Sequence, residues 1–167
     1  MSATQLVEAT NQRLVKFIVA AVLFFGWGVI QGAIQAQKPI HDFLMQGPAE
    51  IIVGAHVHVN TLGWVSLMLV ALVYYLVPIL TNKPIAAPRL INWIFWIFVI
   101  AFTINAVLMI TVGIRAGNAF AAGIVGPPLD ALVAPYMMPI GILSIICGIV
   151  FLTFVVQILV SIARKAS

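Results

Sequence analysis

The sequence predicts an all-α integral membrane protein, a single transmembrane domain over residues 1–167 built as a four-helix bundle with both termini cytoplasmic. Three observations predict it. Charged residues make up only 7% of the chain and hydrophobic ones 63%, where a soluble domain carries about 25% charged residues. The mean hydropathy is +1.18. Four apolar runs each reach the about 20 residues that a helix needs to cross a bilayer. With no water in the hydrocarbon, each run must satisfy its own backbone as a helix. The alternation of a membrane β-strand is absent.

The first helix runs from about Leu14 to about Ala36. Mostly polar residues precede it, and Gln31 and Gln35 interrupt its far end where a leader would place a small-residue cleavage site, so it is expected to be retained. The stretch "ATNQRLVK" before it is amphipathic enough to lie at the inner interface. The second helix runs from about Ile51 to Leu80, and "TNKPIAAP" then makes a tight turn. The third spans about Leu90 to Ile114. The fourth spans about Tyr136 to Ala163. Between them the sequence predicts an irregular loop from Arg115 to Pro135, broken by "GPP" at Gly126 to Pro128 and by Pro135.

Basic residues set the orientation. Arg13, Lys16, Lys83, Arg89, Arg164 and Lys165 fall on one side, whereas the other two loops hold only Lys38 and Arg115. The positive-inside rule puts the first group, and both termini, in the cytoplasm of an inner membrane protein. The pI near 9.7 therefore marks topology and not nucleic acid binding. The single cysteine, Cys147, excludes a disulfide framework within the chain.

The stretch "GAHVHVNTLGWVSLMLVALVYYLVP", residues 54–78, places two imidazoles at the head of a hydrocarbon run. With His41 in the preceding loop, every histidine lies on the outer side. Residues two apart on a helix point about 200° apart, so His56 and His58 do not grip one metal from a regular helix. His58 shares a face with Thr61, Leu62, Val65 and Leu69 and is expected to point inward. His56 lines up with Asn60 and Gly63. The ordinary reading of both is an interfacial histidine bonded to carbonyls or water. The functional reading is ligation, because ionisable groups within membranes mark functional sites and imidazole is a common axial ligand of haem iron. For a b-type haem, Arg115, Gln31, Gln35 and Lys38 are candidate propionate partners, and His41, Met109, Met137 and Met138 are candidates for a second ligand. A two-fold dimer presenting two copies of His58 is a further geometry. Arg115 has the alternative role of a topology residue, and the methionines that of packing.

"HVNTLGWVSLMLVALVYYLVP" followed by a short turn and "APRLINWIFWIFVIAFTI" resembles the second and third membrane helices of the large subunit of bacterial nitric oxide reductase, in the haem–copper oxidase superfamily. The residues that carry the resemblance are His58, Asn60, Tyr74, Tyr75, Leu76, Val77 and Pro78, with Trp93, Phe95 and Trp96 opening the next helix and Gly26, Gly28 and Gly32 fitting more loosely. The resemblance implies that His58 is an axial ligand of haem b. It covers nearly the whole chain but only the first third of the family subunit. The residues that would supply the second low-spin ligand and the catalytic metal centre are not in this sequence, which implies that the chain alone does not carry the family's catalysis.

The expected function is a membrane cytochrome b-like electron-transfer subunit, working with lipid, with other copies of itself or with other respiratory subunits. The alternative is a non-haem structural or assembly subunit, its helices brought close by Gly26, Gly28, Gly32, Gly141 and Gly148. A third reading, ranked last, is copper held by His41, His56 and a methionine. Phosphate-cradling loops, CxxCH attachment and a Ser-His-Asp arrangement are absent, and the acids Glu8, Asp42, Glu50 and Asp130 all lie near helix ends or in loops. Asn105, in the middle of the third helix, is expected to bond to a neighbouring helix.

Overall fold

The computed structural model describes residues 3–164, with side chains from residue 13 onward, and contains helices and no strand among them. Four segments are long and apolar enough to cross a membrane: Arg13–Gln35, Gly47–Thr81, Leu90–Ala121 and Pro127–Ala163. The first belongs to α1 (Ala3–Gln35), which runs on through "ATNQRLVK"; the side chains of that stretch up to residue 12, and hence its amphipathic face, lie outside the described residues. A short helix, α2 (Lys38–Leu44), and a 3-10 turn (Gly47–Glu50) fill what the sequence left as a loop, so His41 sits on a helix. The second span is one continuous rod in three parts: α3 (Ile51–His58), a π-helical segment (Val59–Ser66) and α4 (Leu67–Thr81). The third and fourth spans are α5 (Leu90–Ala121) and α6 (Pro127–Ala163).

The expected loop from Arg115 to Pro135 is corrected to a short connection. α5 continues to Ala121 because Ala116, Gly117 and Ala119 keep packing, with Gly117 so close to Phe43 and Ala49 that a Cβ there would meet the Phe43 ring at 2.5 Å. α6 begins early because Gly126 takes φ 66°, and Pro127 and Pro128 occupy the first helical positions, where no N–H is missed. Pro135 and Pro139 lie inside α6, as membrane helices tolerate. At the other end of the bundle Asn82 closes α4 in the left-handed conformation at φ 52°.

Hydrophobicity does not drive helices together in lipid; close packing and hydrogen bonds do. α1 packs along the π segment and α4, α3 packs on α5, and α5 runs beside α6. A chain of rings links all four spans. Phe17 meets Tyr74 at 6.1 Å and Phe95 at 4.9 Å, Phe24 meets Phe102 at 5.3 Å, Phe102 stacks on Phe98 at 5.2 Å, and Phe98 meets Phe151 of α6 at 5.0 Å. Such pairs add roughly 0.5–1.5 kcal/mol each beyond their burial. α6 is the outermost span: 22% of its most apolar stretch is buried, against 39% for the second and third spans.

The basic residues gather as their sequence positions require. Arg13 donates to the Pro88 carbonyl at 2.9 Å, Lys16 to Asn92 Oδ1 at 2.6 Å, and Lys83 to the Ile162 carbonyl at 3.0 Å, so all three mark one end of the bundle, the basic end. His41, His56 and His58 belong to the opposite half, the histidine end.

Candidate functional site

The buried stripe of the second span is Ile52, Ala55, Val59, Gly63, Leu67, Val70, Tyr74 and Val77. His56 follows one stripe residue and His58 precedes the next, so the two imidazoles leave the helix on opposite flanks. The flank of His56 meets α1. His56 is half-buried; a Cβ on Gly32 would lie 3.0 Å from its Cε1, and one on Gly28 would lie 2.3 Å from Asn60 Oδ1. Asn60 Nδ2 donates to the His56 carbonyl at 2.9 Å and lies 3.4 Å from both ring nitrogens. Gly28 and Gly32 therefore make room for side chains of this same chain, which accounts for two of the glycines that a slot or a close helix approach would need. Gly26, Gly141 and Gly148 face open space.

The expectation that His58 points inward is corrected. His58 is exposed on the bundle surface, and so are Thr61, Val65 and Leu69 of the same face. The reason is that lipid and core are equally apolar, so the composition of a membrane helix face does not say which way it turns. The ring is nonetheless held. His58 Nδ1 lies 2.7 Å from the carbonyl of Gly54, one turn earlier. A carbonyl only accepts, so the proton sits on Nδ1 and the Nε2 lone pair is left free. Metal-ligating histidines are commonly fixed in this way. The π-helical segment starts at the next residue; its wide turn is completed by Ser66 Oγ donating back to the Thr61 carbonyl at 2.8 Å, and single π turns recur at functional sites. Gly54 was not singled out in the sequence; the signal for it is a glycine four residues before a histidine, where the missing side chain leaves the carbonyl open.

The other candidates are dispersed. His41 is exposed on α2 beside the Lys38–Asp42 ion pair, whose Nζ to Oδ2 distance is 2.7 Å. Gln31 and Gln35 direct their amide nitrogens at the Ile52 carbonyl, at 3.4 and 3.5 Å. Arg115 donates to Tyr136 Oη of α6, and its guanidinium lies 5.7 Å from that ring's centre. Met109 is buried behind Gly54, its methyl 3.5 Å from where a Cβ of Gly54 would stand. Met137 and Met138 are exposed on α6, which has no extended packing with α3. Among the described residues no group of three His, Cys, Asp or Glu side chains comes together as a metal site. What these residues would offer a haem is single donors and no paired set, His58 Nε2 being the one on a ring held by a backbone carbonyl.

At the basic end the structure assembles a polar knot that sequence reading missed. Tyr74, fully buried, donates to Gln157 Oε1 at 2.7 Å. Gln157 Nε2 donates to the carbonyls of Ala86 at 2.7 Å and Ala87 at 3.1 Å, and Ser161 Oγ accepts from the Ala86 N–H at 2.9 Å. The signal was a glutamine and a serine four residues apart on one helical face. Asn105 bonds to a neighbouring helix as expected, Nδ2 donating to Ser144 Oγ of α6 at 3.1 Å.

Comparison with known proteins supplies the family. The family model described as "Cytochrome C and Quinol oxidase polypeptide I" matches residues 4–150. A "Cytochrome c oxidase subunit 1 homolog" of Agrobacterium tumefaciens (strain T37) is 28% identical over 103 residues, 61% of this chain and 19% of the relative. "Cbb3-type cytochrome c oxidase subunit CcoN1" of Stutzerimonas stutzeri is 28% identical over 105 residues, 62% of this chain and 22% of the relative. "Cytochrome c oxidase subunit 1" of Rhodobacter capsulatus is 25% identical over 105 residues, with coverage of 62% and 19%. The matched segment thus spans about a fifth of the length of these relatives.

Proposed function

The chain belongs to the cytochrome c and quinol oxidase polypeptide I family, within the haem–copper oxidase superfamily, and from that premise we propose that it is a cytochrome b-like electron-transfer subunit that binds haem b through His58. The observation that carries this reading is the pinned imidazole. An ionisable ring on a lipid-facing surface is costly to hold, and this one has its Nδ1 proton on Gly54 and its Nε2 lone pair directed away from the helix.

When bound, haem b supplies a one-electron iron couple. The residues of the chain do the rest. The Gly54 carbonyl fixes the tautomer and limits rotation of the His58 ring. Burial of Met109 behind Gly54 backs that turn of helix. Thr61 Oγ1 donates to the Val57 carbonyl at 2.8 Å, so its hydroxyl is turned into its own helix and leaves the face beside His58 apolar. In the orientation given by the positive-inside rule, the histidine end faces the periplasm and the basic end the cytoplasm of the inner membrane. The subunit would pass electrons between a quinol or periplasmic donor and a partner.

Visible spectra of the purified protein, oxidised and dithionite-reduced, test this. A sharp b-type α-band is expected on reduction. His58→Ala abolishes it and His56→Ala leaves it. A full band in His58→Ala rejects the assignment.

A further inference from the structure

α5 runs beside α6, yet a groove stays open between them toward the basic end. It consists of two joined hollows of about 400 and 420 Å³ that share Leu90, Ile149 and Thr153. One extends to Ala86 and Val160, the other to Trp93 and Ile97. We propose that this groove holds one acyl chain of an anionic phospholipid, with the lipid phosphate between Arg89 and Arg164.

The walls suit hydrocarbon. Thr153 Oγ1 donates to the Ile149 carbonyl of its own helix at 2.8 Å. Gln157 is engaged by Tyr74 and by the carbonyls of Ala86 and Ala87. A ligand's polar head therefore finds partners at the mouth and not along the walls. From Ile146 to Val160 the groove follows α6 for about 21 Å, longer than half of a hydrocarbon core about 30 Å thick. Trp93, at the rim and 64% exposed, is the residue type that gathers at headgroup level.

The mouth suits an anion. Arg89 stands one helical turn before Trp93 and Arg164 one turn after Val160, so both walls end in a guanidinium at the same end of the bundle. Both side chains are exposed, and among the described residues neither pairs with an acid. Lys83 brings a third cation to this end of α6, its Nζ on the Ile162 carbonyl at 3.0 Å. A guanidinium grips phosphate oxygens with paired N–H groups. In the orientation given by the positive-inside rule the mouth opens in the cytoplasmic leaflet, where basic pockets between membrane helices take anionic head groups. A second helix is the poorer occupant. Membrane helices approach each other over small residues, whereas Ile149, Leu152 and Val156 stand up around this groove at 57%, 66% and 59% exposure. A helix is also about 10–12 Å across, and a single acyl chain is the narrower guest.

The test uses the whole chain in mild detergent, with native mass spectrometry after addition of phosphatidylglycerol or of phosphatidylcholine with the same acyl chains. One phosphatidylglycerol per chain should stay bound under conditions that strip phosphatidylcholine. Arg89→Gln and Arg164→Gln should each lower that retention about five-fold, and Arg89→Lys, which keeps the charge, should retain most of it. Ile149→Trp, which fills the groove, should cut retention while circular dichroism stays helical. Equal retention of the two lipids, or full retention in the double glutamine variant, leaves an ordinary lipid annulus and overturns the proposal. Thermal stabilisation by inorganic phosphate as great as by phosphatidylglycerol overturns it in favour of a free anion. A photoreactive residue in place of Leu152 should give adducts of lipid mass in native membranes; an adduct of polypeptide mass places a second helix on this face and overturns it as well.

Discussion

Tyr74 and His58 sit on the same span, yet one is sealed at the basic end with its hydroxyl bonded to Gln157, and the other stands open at the histidine end with half of its ring unpaired. The knot around Gln157 leaves none of its polar atoms over: the carboxamide accepts from Tyr74 and donates to two carbonyls of the connection between α4 and α5. It ties α6, otherwise the most exposed span, to α4. The pinned histidine ties nothing. The difference separates groups that hold the bundle together from groups that the bundle presents.

The comparison breaks first at Gln157. Gln157→Leu leaves the Tyr74 hydroxyl and the Ala86 carbonyl buried without partners, and an orphaned buried group costs about 1–3 kcal/mol. Interhelical hydrogen bonds in membranes average only about 0.6 kcal/mol because the unfolded chain finds other partners. Here two groups are orphaned at once, so a loss of about 2–3 kcal/mol is expected, measured by unfolding in mixed micelles, with α6 protected less against proteolysis. An undiminished stability would mean that water replaces the amide and that the knot is ornamental.

The glycines sharpen the contrast next. A Cβ on Gly113 would lie 2.4 Å from Ile52 Cγ1 and 2.7 Å from Ile51 Cγ2, both on the short, stiff side chains of α3. Gly113→Ala should therefore cost about 1–3 kcal/mol, the range for overpacking. Gly141→Ala and Gly148→Ala meet open space and should fall within about 0.5 kcal/mol of wild type. Equal losses at all three would show that the open face of α6 is covered in the folded protein.

The two histidines follow. Removing His56 empties the space opposite Gly32 and leaves Asn60 without its ring neighbour, so His56→Ala should cost about 1 kcal/mol in haem-free protein. His58→Ala in the same protein removes an exposed ring and should change stability by less than about 0.5 kcal/mol. The reverse order would mean that His58 is a packing residue and would remove the ground for ligation.

Hydropathy made the four spans legible to within a few residues at six of their eight ends. The two exceptions, Ala121 and Pro127, share a cause. Proline and glycine read as loop in water, but proline is at home in the first turn of a helix and is tolerated inside a membrane helix. The facing of His58 was not legible, because in lipid both sides of a helix are hydrocarbon and the periodicity that betrays a core in soluble proteins is erased. That His56 and His58 diverge was legible, since it follows from helical pitch alone. The π segment left no mark in composition, and Gln157 looked like a lone amide in an apolar run until the fold brought Tyr74 and Ala86 to it.

The effect expected at Asn105 has the opposite sign. It resembles Gln157 in burial but not in pairing: Nδ2 reaches Ser144, while Oδ1 is buried and finds no donor among the described residues. Asn105→Leu removes one interhelical bond, worth about 0.6 kcal/mol on average in a membrane. It also removes an unpaired oxygen whose burial costs about 1–3 kcal/mol, and a leucine of similar length fills the space with carbon. The Ser144 hydroxyl left behind has the carbonyl one turn earlier as a substitute acceptor, as serines in helices do. The two terms oppose, so stability should stay level or rise by up to about 1 kcal/mol. A loss as large as that of Gln157→Leu, measured in the same micelles, would place Asn105 with the knot and show that its oxygen is engaged in the folded protein.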